Sequence, residues 1–311
     1  MNATISKYAY ATISTGEANV IRFAAIDRGA SSEYPVTDRL DLDGTLDLHK
    51  GVYNRIIKQF NRGQPIAMTL TTFSDAPAGS GLGASSTLVV AMVKAFAELL
   101  NLPLGEYDIA HLAYEIERKD VGLNGGKQDQ YAATFGGFNF MEFYADDRVI
   151  VNPLRVTNWI ISELEASIVL FYSGISRQSA IIIDEQAKNV TRNDSASIQA
   201  FHEVKNEAVS MKECILRGDL KQFGRSMQMG WESKKRTAHN VSNEIIESIS
   251  ERAWRAGAYA TKVSGAGGGG FMMFFVDPLR RVEVLRALKE CEGEIMYCNF
   301  TKRGTQAWRV S

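Results

Sequence analysis

Cysteine is scarce in this chain: three in 311 residues, Cys214, Cys291 and Cys298. An odd number at these spacings fits neither a disulfide framework nor a zinc template, and reads as thiols of a reducing compartment. The four histidines (His49, His111, His202, His239) are scattered, with no H-E-x-x-H pair. There is no G-x-S-x-G elbow either, so zinc hydrolysis and serine-hydrolase chemistry find no support. An excess of one charge is also missing, since 35 Lys and Arg stand against 36 Asp and Glu. A pI near 6.5 argues against a nucleic-acid surface or a basic membrane-binding patch. No stretch approaches the ~18 unbroken apolar residues of a membrane span. The opening residues, MNATISKYAYATI, lack the basic start and apolar core of a secretory signal, so the expected location is cytoplasmic.

What is present is the mix of an ordinary soluble globular protein: 45% hydrophobic and 23% charged residues. At roughly 150 residues per domain, two domains are expected. Hydrophobic spacing predicts helices at 47–63, 85–101, 107–119, 179–189, 195–217, 219–234, 242–256 and 280–291. Alternation and β-branched content predict strands at 2–13, 66–74, 138–143, 148–151, 167–172, around 263, and at 271–276, 294–301 and 306–310. Both halves mix helices with largely antiparallel strands, an α+β pattern, and the expected break lies near 153–166.

Glycine is clustered rather than rare: of 26 glycines, 13 lie in three windows, 79–83, 122–137 and 265–270. Clustering marks places where backbone turns left-handed or approaches another group closely. The first window, Pro77-Ala78-Gly79-Ser80-Gly81-Leu82-Gly83-Ala84-Ser85-Ser86, follows a strand and runs into a long helix. Alternate glycines and a helix N-terminus together make an anion-holding concavity suited to phosphates. Of Ser85 and Ser86, one hydroxyl could cap the helix and the other reach a nucleotide-bound Mg²⁺. No Gly-Lys-Ser/Thr follows, so this is not a Walker A loop.

The third window holds a literal G-x-G-x-x-G at Gly265, Gly267 and Gly270. A dinucleotide fingerprint must open a helix, whereas Phe271–Val276 is strand-like. A hairpin connection that brings bare backbone beside bound phosphates is the better reading. Between the two, Asp120–Gln130 carries Asp129 near Lys127, after a Gly pair. A carboxylate beside a cation stays ionised and can orient or deprotonate a hydroxyl; a helix-capping Asp is the alternative. Glu117 could approach a metal, or sit on a solvated helix face.

Pro77–Ser86 and Gly265–Phe271, with the Asp129 loop between them, resemble the motifs of the GHMP kinases. The first matches P-x-G-x-G-L-G-S-S, with Ala84 where Ser is common, and the second matches G-A-G-x-G-G-x. Asn2–Ile5, Gly125–Ala133, Phe135–Phe140, Tyr172–Arg177 and Trp231–Lys235 are similar to the sugar-kinase branch that includes heptose 7-phosphate kinases. The family's first substrate-binding motif does not stand here, and the chain is expected to begin just after it. The resemblance implies a two-domain fold: an N-terminal ribosomal-protein-S5-like α/β domain over 1–160 and a C-terminal ferredoxin-like α+β domain over 161–311. It implies ATP held by Pro77, Gly79, Ser80, Gly81, Gly83, Ala84, Ser85 and Ser86, with Gly265, Gly267 and Gly268. Mg²⁺ would be shared by Ser86 and Glu117, the attacking hydroxyl handled by Asp129, and the sugar phosphate met by Lys127, Gln128 and Arg177. The implied reaction is ATP-dependent phosphorylation of a heptose 7-phosphate at its anomeric hydroxyl. Other readings remain open: a fucose- or galactose-type GHMP kinase, or a non-catalytic ligand sensor of the same fold. The implied partner is a small sugar phosphate, with no nucleic acid and no membrane, and a homodimer among the expected assemblies.

Overall fold

A computed structural model describes residues 1–16, 19–77, 79–174, 179–297 and 299–310. Eleven strands are found among them: β1 (Asn2–Ala3), β2 (Ala9–Thr15), β3 (Val20–Ala25), β4 (Ala30–Pro35), β5 (Met68–Ser74), β6 (Phe138–Phe143), β7 (Val149–Pro153), β8 (Ile168–Tyr172), β9 (Ala258–Val263), β10 (Phe271–Val276) and β11 (Glu294–Met296). The α-helices are α1 (Asp47–Phe60), α2 (Ala84–Leu99), α3 (Glu106–Glu115), α4 (Gln128–Phe135), α5 (Asn158–Ser167), α6 (Ser179–Thr191), α7 (Ser195–Arg217), α8 (Leu220–Lys235), α9 (Glu244–Ala256) and α10 (Arg281–Lys289). A π-helical turn, Ile116–Asp120, extends α3. None of the described helices is long and apolar enough to cross a membrane.

The chain groups into two compact units: Met1–Ser6, Ala78–Leu82 and Gly137–Thr301 form one, and Lys7–Pro77, Gly83–Gly136 and Lys302–Ser311 the other. The chain passes between units several times, and Ile160 and Leu164 of α5 are core residues.

The second unit, Lys7–Pro77 with Gly83–Gly136 and Lys302–Ser311, is built on the sheet β2-β5-β3-β4. Its β2–β5 and β3–β4 pairs are antiparallel and its β3–β5 pair parallel. The period of two puts Ile21, Phe23, Ala25, Met68 and Leu70 on one face. Val52, Ile56 and Ile57 of α1 and Val89, Met92, Val93 and Phe96 of α2, at helical spacing, pack into the same core. Arg55 of α1 pairs with both Asp120 oxygens at 2.7 Å and with Glu115 at 3.1 Å, pinning the π-helical turn to the core helix.

A histidine ring is buried against this core. His49, 2% exposed, meets the Thr72 hydroxyl through Nε2 at 2.8 Å, while its Nδ1 has no hydrogen-bond partner among the described residues. Burial, helped by the Arg28 charge, pushes its pKa down to about 4. The unfolded chain takes up that proton near 6.5, so the neutral ring's contribution is complete above 6.5 and is lost as pH falls toward 4. Equilibrium unfolding should therefore weaken by up to about 3 kcal/mol over that window. His49→Gln should remove this part of the slope; a slope unchanged by the substitution would assign it elsewhere.

In the first unit the sheet order is β11-β8-β10-β9, all antiparallel. Numbered within the sheet this is 4-1-3-2, with helices in the β8–β9 and β10–β11 connections, which is ferredoxin-like topology. Phe271, Met272, Phe274, Phe275 and Val276 of β10 are fully buried, as a central strand requires. A separate three-stranded sheet, β1-β6-β7, belongs to the same unit. Cys214 and Cys291 are free thiols; Cys298 lies outside the described residues. The strand expected over 306–310 is not formed. There Arg309 donates to the Glu98 carbonyl at 3.0 Å and to Asn101 Oδ1 at 2.6 Å, side-chain ties in place of a ladder.

Candidate active site

The first glycine window takes the backbone its sequence calls for. Gly79, Gly81 and Gly83 have φ of 72°, 81° and 73°, left-handed conformations that an L side chain rarely adopts. Pro77 precedes the loop, and α2 opens at Ala84 with Gly83 as its cap. Neither serine caps α2 with its side chain, contrary to the capping role one of them was expected to fill. Both hydroxyls turn instead to one carboxylate.

In the second unit, Ser85 Oγ donates to Glu117 Oε1 at 2.8 Å and Ser86 Oγ to Glu117 Oε2 at 2.7 Å. Gln130 Nε2 donates to Glu117 Oε2 at 2.6 Å and to Ser86 Oγ at 3.1 Å. Glu117 is fully buried, so the solvated-face alternative does not hold. A buried carboxylate persists only when its lone pairs are satisfied, and here two hydroxyls and an amide supply the donors. The Oε1 of Gln130, also buried, has no partner among the described residues. A hydroxyl, a carboxylate and this open acceptor form a hard oxygen set that fits Mg²⁺, which takes one or two carboxylates and completes its shell with phosphates and water. No group of three or more His, Cys, Asp or Glu side chains suited to a metal occurs among the described residues.

Asp129 lies in the first turn of α4, whose cap is Lys127; it is not the capping residue. A Cβ on Gly83 would lie 2.9 Å from Asp129 Cγ. The bare backbone that starts α2 is thus in van der Waals contact with the carboxyl, and Gly83 is needed for that approach as well as for its φ. Gln128 is the first residue of α4, and Lys127 Nζ stands 5.1 Å from the Tyr114 ring centroid. Arg177 lies outside the described residues.

In the first unit, the third glycine window packs directly on the first. A Cβ on Gly265 would lie 2.9 Å from Gly81 Cα, and one on Gly270 would fall within the Ser80 peptide. Phe271 N–H donates to the Ser80 carbonyl at 2.9 Å. Gly267 abuts the Val241 carbonyl, which accepts from Gly268 N–H at 2.7 Å. Gly265 and Gly270 therefore buttress the Ser80–Gly81 backbone through peptide-to-peptide contact. Ser80 Oγ is buried and has no hydrogen-bond partner among the described residues.

Sequence reasoning did not assign Gln130 or Arg118. Gln130 sat in view in the Gly-Gly-Lys-Gln-Asp-Gln run. Arg118 gave no signal beyond adjacency to Glu117, because only the π-helical turn aims both side chains at Ser86.

The GHMP kinases N-terminal domain model matches residues 47–137, and the GHMP kinases C-terminal model matches 211–293. The D-glycero-alpha-D-manno-heptose 7-phosphate kinase of Campylobacter jejuni is 50% identical over 310 residues, covering 100% of this chain and 91% of that protein. The chain is a GHMP kinase. Solved structures of GHMP kinases agree. A D-glycero-D-manno-heptose 1-phosphate kinase from Bacteroides thetaiotaomicron superposes with a TM-score of 0.83 at 45% identity, covering 99% of this chain and 89% of that one. The mevalonate kinase of Methanococcus jannaschii, at 20% identity and a TM-score of 0.77, shares the fold over 96% of this chain and 90% of its own. The α+β fold expected from the GHMP resemblance is the one observed, and membership makes the chain an ATP-dependent small-molecule kinase.

Proposed function

We propose that this GHMP kinase transfers the γ-phosphoryl group of ATP to the anomeric hydroxyl of D-glycero-D-manno-heptose 7-phosphate, giving the 1,7-bisphosphate and ADP in the cytoplasm. The observation that carries the substrate assignment is the 50% identity, along all of this chain, with a kinase named for that sugar phosphate. Fucose- or galactose-type activity has only remoter relatives behind it; a plant bifunctional fucokinase is 27% identical over 76% of this chain.

In this reading the left-handed Gly79–Gly83 backbone, with Pro77 leading into it, and the amides of Ala84 and Ser85 at the positive end of α2 take the ATP phosphates. Gly265 backs the Gly81 peptide, and Gly267 and Gly268 seat the same loop on Val241. Ser86 Oγ and Glu117 would hold Mg²⁺, which when bound offsets charge on the β- and γ-phosphates. The Asp129 carboxylate accepts the proton of the anomeric hydroxyl as its oxygen bonds to the γ-phosphorus and the bond to the ADP oxygen breaks. Lys127, Gln128 and Arg177 are assigned to the sugar and its 7-phosphate. Phosphoryl transfer asks mainly for alignment and charge neutralisation, so one carboxylate base with a phosphate cradle is sufficient.

Coupled ADP release with ATP, Mg²⁺ and a panel of acceptors tests the assignment. Turnover should be highest with heptose 7-phosphate and at background with fucose, galactose and mevalonate. A higher kcat/KM for any of those three would replace the substrate, and ATP binding without turnover on any acceptor would favour the ligand-sensor reading.

A further inference from the structure

Arg118 has no place in the reaction as described, yet its guanidinium is among the most densely bonded groups in the second unit. Its side chain is 13% exposed. Nε donates to the Gly126 carbonyl at 3.3 Å, and Nη1 to the carbonyls of Leu123 and Asn124 at 3.3 Å each. Nη2 donates to Ser86 Oγ at 3.3 Å, and Nη1 lies 3.3 Å from Glu117 Oε1. One rigid planar fork thus joins three carbonyls of the 122–127 loop, those of Leu123, Asn124 and Gly126, to the buried Ser86–Glu117 pair. The loop is shaped around it, because a Cβ on Gly125 would lie 2.5 Å from Arg118 Cζ.

The local backbone makes this possible. On an α-helix, neighbours point about 100° apart. Residues 116–120 form a π-helical turn, closed by the Val121 N–H to the Ile116 carbonyl at 2.9 Å, and the Leu123 N–H then bonds the Glu117 carbonyl at 3.0 Å. Consecutive Glu117 and Arg118 can therefore both reach Ser86. Such turns cost stability and recur at functional sites. The loop that Arg118 gathers leads without interruption into Lys127 and the first turn of α4, where Asp129 sits.

We propose that Arg118 is a positioning residue for phosphoryl transfer: by clamping the 122–127 carbonyls to the Ser86–Glu117 pair it fixes the distance between that pair and the Asp129 carboxylate. The inference rests on the assignment of Asp129 as base, and its test separates the two. Lys cannot substitute, since a single ammonium cannot reach three carbonyls and a hydroxyl in one plane.

Amide hydrogen exchange compares wild type with Arg118→Gln without any substrate. The 122–127 amides should exchange faster while those of α1 and the core of α2 do not change. Unchanged exchange in the loop would overturn the clamp whatever the substrate proves to be. In turnover with the sugar that the wild type accepts, Arg118→Gln should lower kcat about 10²-fold while KM for ATP moves by less than about threefold. Millimolar guanidinium should restore part of that kcat, and Arg118→Lys should behave like Gln. Gly125→Ala displaces the fork without deleting it, so its effect on kcat should be sub-additive with Arg118→Gln. Additive effects, or loss of kcat that guanidinium leaves untouched, would make Arg118 a structural residue only.

Discussion

Asp129→Ala is expected to lower kcat by about 10³-fold, within the range that general-base removal produces, while the affinity for ATP changes little. The expectation follows from place. Asp129 sits in the first turn of α4 against the bare Gly83 backbone, while Glu117 takes its hydrogen bonds from Ser85, Ser86 and Gln130. Removing its carboxylate should leave the phosphate loop and the oxygen set intact. Steady-state turnover paired with calorimetric titration of a non-hydrolysable ATP analogue separates the effects. A parallel loss of binding and rate would make Asp129 a structural group of the α4 start.

Gly81→Val should act through the fold before it acts on nucleotide. On sequence alone its side chain would occupy phosphate space. The structure directs a Cβ at position 81 to within 2.8 Å of the Ser264 carbonyl oxygen, with φ at 81°. A β-branched residue there suffers backbone strain of about 1–3 kcal/mol, and the peptide clash adds to it. Thermal unfolding should therefore shift down by several degrees, and ATP-analogue binding should be lost as the loop separates from the 264–270 backbone. An unchanged melting point with binding abolished would show that the side chain meets phosphate instead, as the sequence alone suggests.

Much of this was legible in residue order because it is local. The 3.6-residue spacing of apolar side chains in α1, α2, α7, α8 and α9 announces those helices, and alternate glycines ending in Ser-Ser announce a left-handed loop before a helix. What failed was non-local. The β3–β4 hairpin, Val20–Ala25 with Ala30–Pro35, passes unread because its second strand, Ala-Ser-Ser-Glu-Tyr-Pro, is polar and takes its state from pairing with β3. Residues 306–310 alternate like a strand but find no ladder, and Arg309 binds Glu98 and Asn101 instead. One of the Ser85 and Ser86 hydroxyls reads as a possible cap because capping is the local rule. A fully buried Glu117, more than thirty residues away in sequence, accepts from both hydroxyls instead. Arg118 stayed hidden for a similar reason, since nothing in the order of residues marks a π-helical turn.

Two-dimensional ³¹P–¹H NMR of the product bears most directly on the account. After reaction with ATP, Mg²⁺ and D-glycero-D-manno-heptose 7-phosphate, a new phosphorus resonance should couple to the anomeric proton while the 7-phosphate signal persists. A new phosphate coupled to any other ring proton, or ATP consumed with the sugar unchanged, would contradict it.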